Sequence, residues 1–178
     1  MKLLTFLAIG IIGCTATSNK DIKNVYGNRE EVLSIFKNVS VFRKGTGNKI
    51  LLYTYEKDKE NEYVFIKGKE KYSLYKDKIL FSPDQILGIY RNEQDEALYR
   101  KQLTDKLEFY LRKMDSLKIS DISSEFFKQR IDLKIYMKSN AIVVYVSDVK
   151  NVINPEWVNY LNRMKKLDEN WYYAKEDK

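Results

Sequence analysis

The 178-residue chain contains no histidine and a single cysteine, and it carries a formal net charge of +7. Without histidine there is no Ser–His or Cys–His nucleophile and no imidazole zinc ligand; with one cysteine there is no disulfide, iron–sulfur cluster or dithiol redox centre. Catalysis in such a chain would fall to carboxylates, Lys, Tyr or an all-oxygen metal site.

The first element is an apolar run from Leu3 to Gly13, preceded by Lys2 and followed by Cys14. A bilayer span needs ~20 apolar residues, so the run is too short to cross, and it lacks the polar face of an amphipathic surface helix. A positive residue, a short apolar stretch and a small residue before a cut describe an export signal. Ile11-Ile12-Gly13-Cys14 resembles a bacterial lipobox, with Ile where Leu is commoner. The resemblance covers about the first twenty residues and implies cleavage before Cys14, a diacylglyceryl thioether on its sulfur and further acylation of the new amino group. On that reading residues 1–13 are a cleaved signal peptide, and 14–24 are the lipidated cysteine and a polar tether. Residues 25–178 then form a single domain. Thr15 rather than Asp after Cys14 implies the outer membrane in a two-membrane bacterium; in a one-membrane organism the anchor implies the outer face of the plasma membrane.

Asn28-Arg29-Glu30-Glu31 has the form of a capping box, and Val32, Leu33, Ile35 and Phe36 continue it as a short amphipathic helix. NVSVFRK and KILLYTYE flank Gly45-Thr46-Gly47-Asn48, a hairpin turn. EYVFIK and KYSLYK follow around Gly68, and KILF suggests a fifth strand, so residues 39–81 read as an antiparallel meander. Ser82-Pro83-Asp84-Gln85 starts a helix, and a longer one occupies about residues 93–117. Its apolar seam is Tyr99, Leu103, Leu107, Tyr110, Met114 and Leu117, expected to pack on the protein's own sheet. A short helical stretch is expected near Ile122–Lys128. IDLKIYM and AIVVYVSDV form a second hairpin over about 131–147, turning at Lys138-Ser139-Asn140, and Asn154-Pro155-Glu156 starts a helix over about 155–167. Trp171, Tyr172 and Tyr173 close the chain against the domain. Strands grouped apart from helices place the chain in the α+β class.

No motif carries chemistry. Ser-x-x-Lys at Ser34–Lys37 and Ser73–Lys76 is expected by chance in so lysine-rich a chain, and the motifs that accompany it in penicillin-recognising enzymes are missing. Gly45-Thr46-Gly47 lacks the Lys-Ser/Thr and helix of a phosphate loop, and the acid clusters lack the order of a calcium loop. No cofactor and no metal are expected. The lysines are scattered and alternate with acids, which reads as a solvated surface with weak attraction to anionic headgroups or wall polymers, not as a nucleic-acid site.

One constellation remains. Alternation puts Leu51, Tyr53 and Tyr55 on one strand face; if register aligns Tyr63 and Tyr72 with them, the sheet carries a tyrosine platform for glycan, peptide or protein. The other reading buries these rings under the long helix. The expectation is a non-catalytic, lipid-anchored envelope protein that binds a protein partner as a complex subunit or immunity-type protein. The alternative is glycan or peptide binding at Tyr53, Tyr55, Tyr63 and Tyr72, and a carboxylate-based hydrolase is the remote one.

Overall fold

The computed structural model describes residues 19–56, 59–79, 93–125 and 131–175. Helix α1 (19–27) runs into α2 (Arg29–Phe36). The meander follows as β1 (Val39–Lys44), β2 (Lys49–Glu56), β3 (Lys59–Lys67) and β4 (Tyr72–Ile79). Then come α3 (Glu93–Ser116), β5 (Ile119–Glu125), β6 (Ile131–Met137), β7 (Ala141–Tyr145), a 3-10 turn (Val149–Asn151) and α4 (Pro155–Arg163). Strands β8 (Lys165–Lys166) and β9 (Trp171–Lys175) end the described chain. All the described strands join one antiparallel nine-stranded sheet, ordered β4-β3-β2-β1-β5-β6-β7-β9-β8. The α+β class, the meander, the second hairpin and the long central helix are all present.

Period-two alternation sorts the meander. Val39, Val41, Ile50, Leu52, Tyr63, Phe65 and Leu74 face the main core, where α1, α2 and α3 pack. The predicted α3 seam faces inward: Leu103, Leu107, Tyr110 and Met114 are buried, as are Leu111 and the following Leu117. On the other sheet face a second core forms where α4 meets β6, β7 and β9; Ile142, Val144 and Tyr172 pack there with Leu161 and Met164. Asn154 caps α4 by accepting from the Glu156 amide at 2.9 Å, with Pro155 at the first helical position.

The sheet joins its halves at β1–β5, where only Val41 and Ile122 stand in ladder register. Side chains fasten the rest of the seam. The Ser124 amide donates to Ser40 Oγ at 2.8 Å, Ser40 Oγ donates back to Ser124 O at 3.3 Å, and Ser124 Oγ donates to Lys37 O. At the other end Arg43 N donates to Asp121 at 2.6 Å. The Arg43 guanidinium spans Ile119 O (3.0 Å), Ser120 O (2.6 Å) and the Asp115 carboxylate (2.9 Å). It thereby steadies the turn from α3 into β5, where Lys118 takes a left-handed φ of 59° that is costly outside glycine.

Several expectations need correction. Residues 122–125 are strand, not helix: the serines of ISDISSE look unsuited to a sheet, yet Ser123 and Ser124 are buried, and Ser124 is satisfied by the bonds just described. The tether does not extend to residue 24, because α1 is helical from residue 19 and buries Ile22 and Val25 in the main core. Asn28 stands at the N-cap position of α2 but makes no side-chain capping bond, because α1 runs directly up to it. It ends α1, and its side-chain amide donates back to Asn24 O at 2.7 Å. Strand β4 runs from KYSLYK without a break to Ile79, with one bulge opposite Val64/Phe65, so Lys78 and Ile79 continue the fourth strand; the rest of KILF lies outside the described residues. The last helix stops at Arg163 rather than 167, and the aromatic end expected only to pack back becomes β9, paired with β7. The helix start at 82–85 lies outside the described residues.

Candidate functional site

Cys14 and the segment expected to be an export signal lie outside the described residues. No described helix is long and apolar enough to cross a membrane. Among the described residues, no three Asp, Glu or Cys side chains are grouped to hold a metal ion. Ser34, the first serine of the Ser-x-x-Lys spacings, donates to Glu31 O at 2.9 Å as ordinary helix surface, and Ser73 sits in an edge strand.

The four tyrosines are not brought together. Leu52 opposes Tyr63 and Tyr53 opposes Glu62, so β3 presents Tyr63 to the side of Ile50, Leu52 and the helices. Tyr63 is buried there. Phe65 opposes Leu74 and Lys67 opposes Tyr72, which puts Tyr72 on the same side; its hydroxyl donates to Gly47 O at 2.6 Å. Tyr53 and Tyr55 remain on the opposite face. The four-ring platform does not form, because one-residue parity between β2 and β3 runs the other way.

That opposite face of the meander is nonetheless the most open apolar surface described. Phe42, Leu51, Tyr53 and Tyr55 are half-buried, while Ile66 and Tyr75 are 41% and 71% exposed. None belongs to either core. Among the described residues α4 covers this side of the sheet only over β6, β7 and β9. Phe42 and Tyr53 meet edge-to-face with centroids 6.0 Å apart, and Lys44 Nζ lies 5.4 Å from the Phe42 centroid. Tyr55 and Ser40 share a hydroxyl bond at 3.3 Å. Partial burial, together with the Glu62 and Glu60 carboxylates, raises the Tyr53 phenol above its usual range, so it stays a neutral donor. The surface can stack, exclude water and donate hydrogen bonds, with acids at one side and lysines at the other. Phe42 and Tyr75 escaped the sequence reading; counting alternation outward from buried Val41 and Leu74 would have found them.

Comparison with family models, with curated proteins and with solved structures gives no match.

Proposed function

We propose that the protein is a lipid-anchored lipoprotein of the cell envelope, held at Cys14, whose domain is a non-catalytic protein-interaction module. The observation that carries the interaction reading is the meander face of Phe42, Leu51, Tyr53, Tyr55, Ile66 and Tyr75, left out of both cores. Aromatic side chains fixed on a sheet supply contact area at low entropic cost, as interface anchors do. The resemblance of Ile11-Ile12-Gly13-Cys14 to a lipobox supports an address outside the cytosol at a bilayer. A subunit of an envelope complex and an immunity-type protein both fit such a surface. The glycan- or peptide-binding alternative now rests on Tyr53 and Tyr55, with Phe42 in place of the two rings turned inward.

Site-specific photo-crosslinking in intact cells tests this. A photoreactive residue at Leu51 or Tyr75 is expected to give one discrete adduct, and one at Lys106 on the outer side of α3 none. The same adduct pattern from both faces, or none from the meander face, would overturn the reading.

A further inference from the structure

Lysines that are dispersed along the sequence are gathered at one end of the sheet. The β1–β2 turn is bracketed by Lys44 and Lys49, the β3–β4 turn carries Lys67, Lys69 and Lys71, and Lys118 sits where α3 enters β5. All six are exposed. The turns are neighbours, since the Lys67 amide donates to Asn48 O at 2.8 Å and Tyr72 Oη pins Gly47 at 2.6 Å. The acids at this end are largely committed. Asp115 is held by Arg43 at 2.9 Å and Lys138 at 2.7 Å, and Asp121 accepts the Arg43 amide, which leaves Glu70 among the lysines. The opposite end of the sheet carries Glu56, Glu60, Asp132, Asp168 and Glu169.

From this gathering we infer that the β1–β2 and β3–β4 tips form a docking edge for an anionic lipid surface. Lys44 and Lys49 stand directly opposite each other in the ladder, a like-charge pairing that costs stability unless an anionic neighbour offsets it. The six cations are all Lys, point charges suited to a diffuse field of headgroups; Arg43, whose planar fork would suit bidentate recognition, is consumed by carbonyls and Asp115. Ile66, exposed between Lys49 and Ser73 in register, is placed to enter the headgroup layer. Near an anionic surface such lysines act additively and within a Debye length. The inference does not depend on the anchor, although tethering at Cys14 would raise the effective concentration of the edge at the bilayer.

The test is vesicle flotation of the full chain carrying Cys14→Ser, so that every variant keeps the same unlipidated leader. Phosphatidylcholine vesicles are compared with vesicles containing phosphatidylglycerol. Anionic lipid is expected to raise binding, and the Lys67→Gln/Lys69→Gln/Lys71→Gln triple to lower that binding at least about tenfold at low salt. A Lys37→Gln/Lys106→Gln/Lys150→Gln triple, equal in net charge and exposed elsewhere, is expected to change it about twofold or less. Equal loss in both triples would assign the effect to net charge alone and overturn the docking edge. So would binding indifferent to anionic lipid, or release by inorganic phosphate beyond that by chloride at matched ionic strength. Mass spectrometry of Cys14 in the native protein reports separately on the anchor.

Discussion

Leu52 stands directly opposite Tyr63 across the β2–β3 ladder, so the tyrosine faces the helices while Tyr53, ten residues earlier, faces away from them. Replacing Tyr63 by Ala should therefore cost about 3 kcal/mol or more, as for other large aromatic truncations in a core. Tyr53→Ala, which loses one edge-to-face contact with Phe42, should cost about 1 kcal/mol or less. Urea denaturation of the two variants measures both.

Ser40 Oγ accepts the hydrogen bond of the buried Ser124 amide at 2.8 Å, and the two residues lie on neighbouring strands that meet in register at Val41 and Ile122. Ser40→Ala should leave that amide unpaired and destabilise the protein by about 1–3 kcal/mol. Hydrogen exchange locates the effect: the Ser124 amide is expected to lose protection ahead of the amides of β6 and β7.

Asp168 ties the β8–β9 turn to α1. Burial would push its carboxyl up, but hydrogen bonds from the Asn170 amide (2.8 Å), Tyr26 Oη (2.9 Å) and the Trp171 amide (2.8 Å) outweigh that and hold it below its ordinary 3.8. A carboxyl depressed on folding stabilises fully above its unfolded value, and the contribution disappears as pH falls through the lower folded one. Acid destabilisation below about pH 4 should accordingly be shallower in Asp168→Asn than in wild type. Denaturation midpoints measured from neutral to acid pH compare the slopes.

Tyr110, buried on α3 against Phe36 of α2 with ring centroids 5.7 Å apart, has its phenol pushed up to about 12 by desolvation. Because the neutral form is the one favoured by folding, its contribution holds below the ordinary 10.0 and is lost as pH rises through about 12. An ultraviolet absorbance titration should show a late-ionising phenol that Tyr110→Phe removes.

The elements that sequence revealed are those whose burial follows hydrophobic period. Leu103, Leu107, Tyr110 and Met114 announce α3, and Ile50 and Leu52 announce the inner side of β2. Register was not legible, because the relation of Tyr53 to Tyr63 turns on a single residue in the β2–β3 connection, and no composition encodes that. Strand β5 was hidden because serines stand in its buried positions and draw their stability from hydrogen bonds across the seam rather than from apolar area. Helix α1 was hidden because Ile22 and Val25 are its only deep contacts in a polar stretch. The basic edge was invisible for a topological reason. Lys44 and Lys49 are separated from Lys67, Lys69 and Lys71 by a stretch that holds Glu56, Asp58, Glu60 and Glu62, and only an antiparallel meander brings its alternate turns to one end.

The measurement closest to the centre of the account is intact mass spectrometry of the protein extracted from its native cells. A chain beginning at Cys14 and carrying a diacylglyceryl group, with or without an amide-linked acyl chain, is the predicted result. Recovery of a chain still beginning at Met1, or of an unmodified Cys14 sulfur, would contradict it.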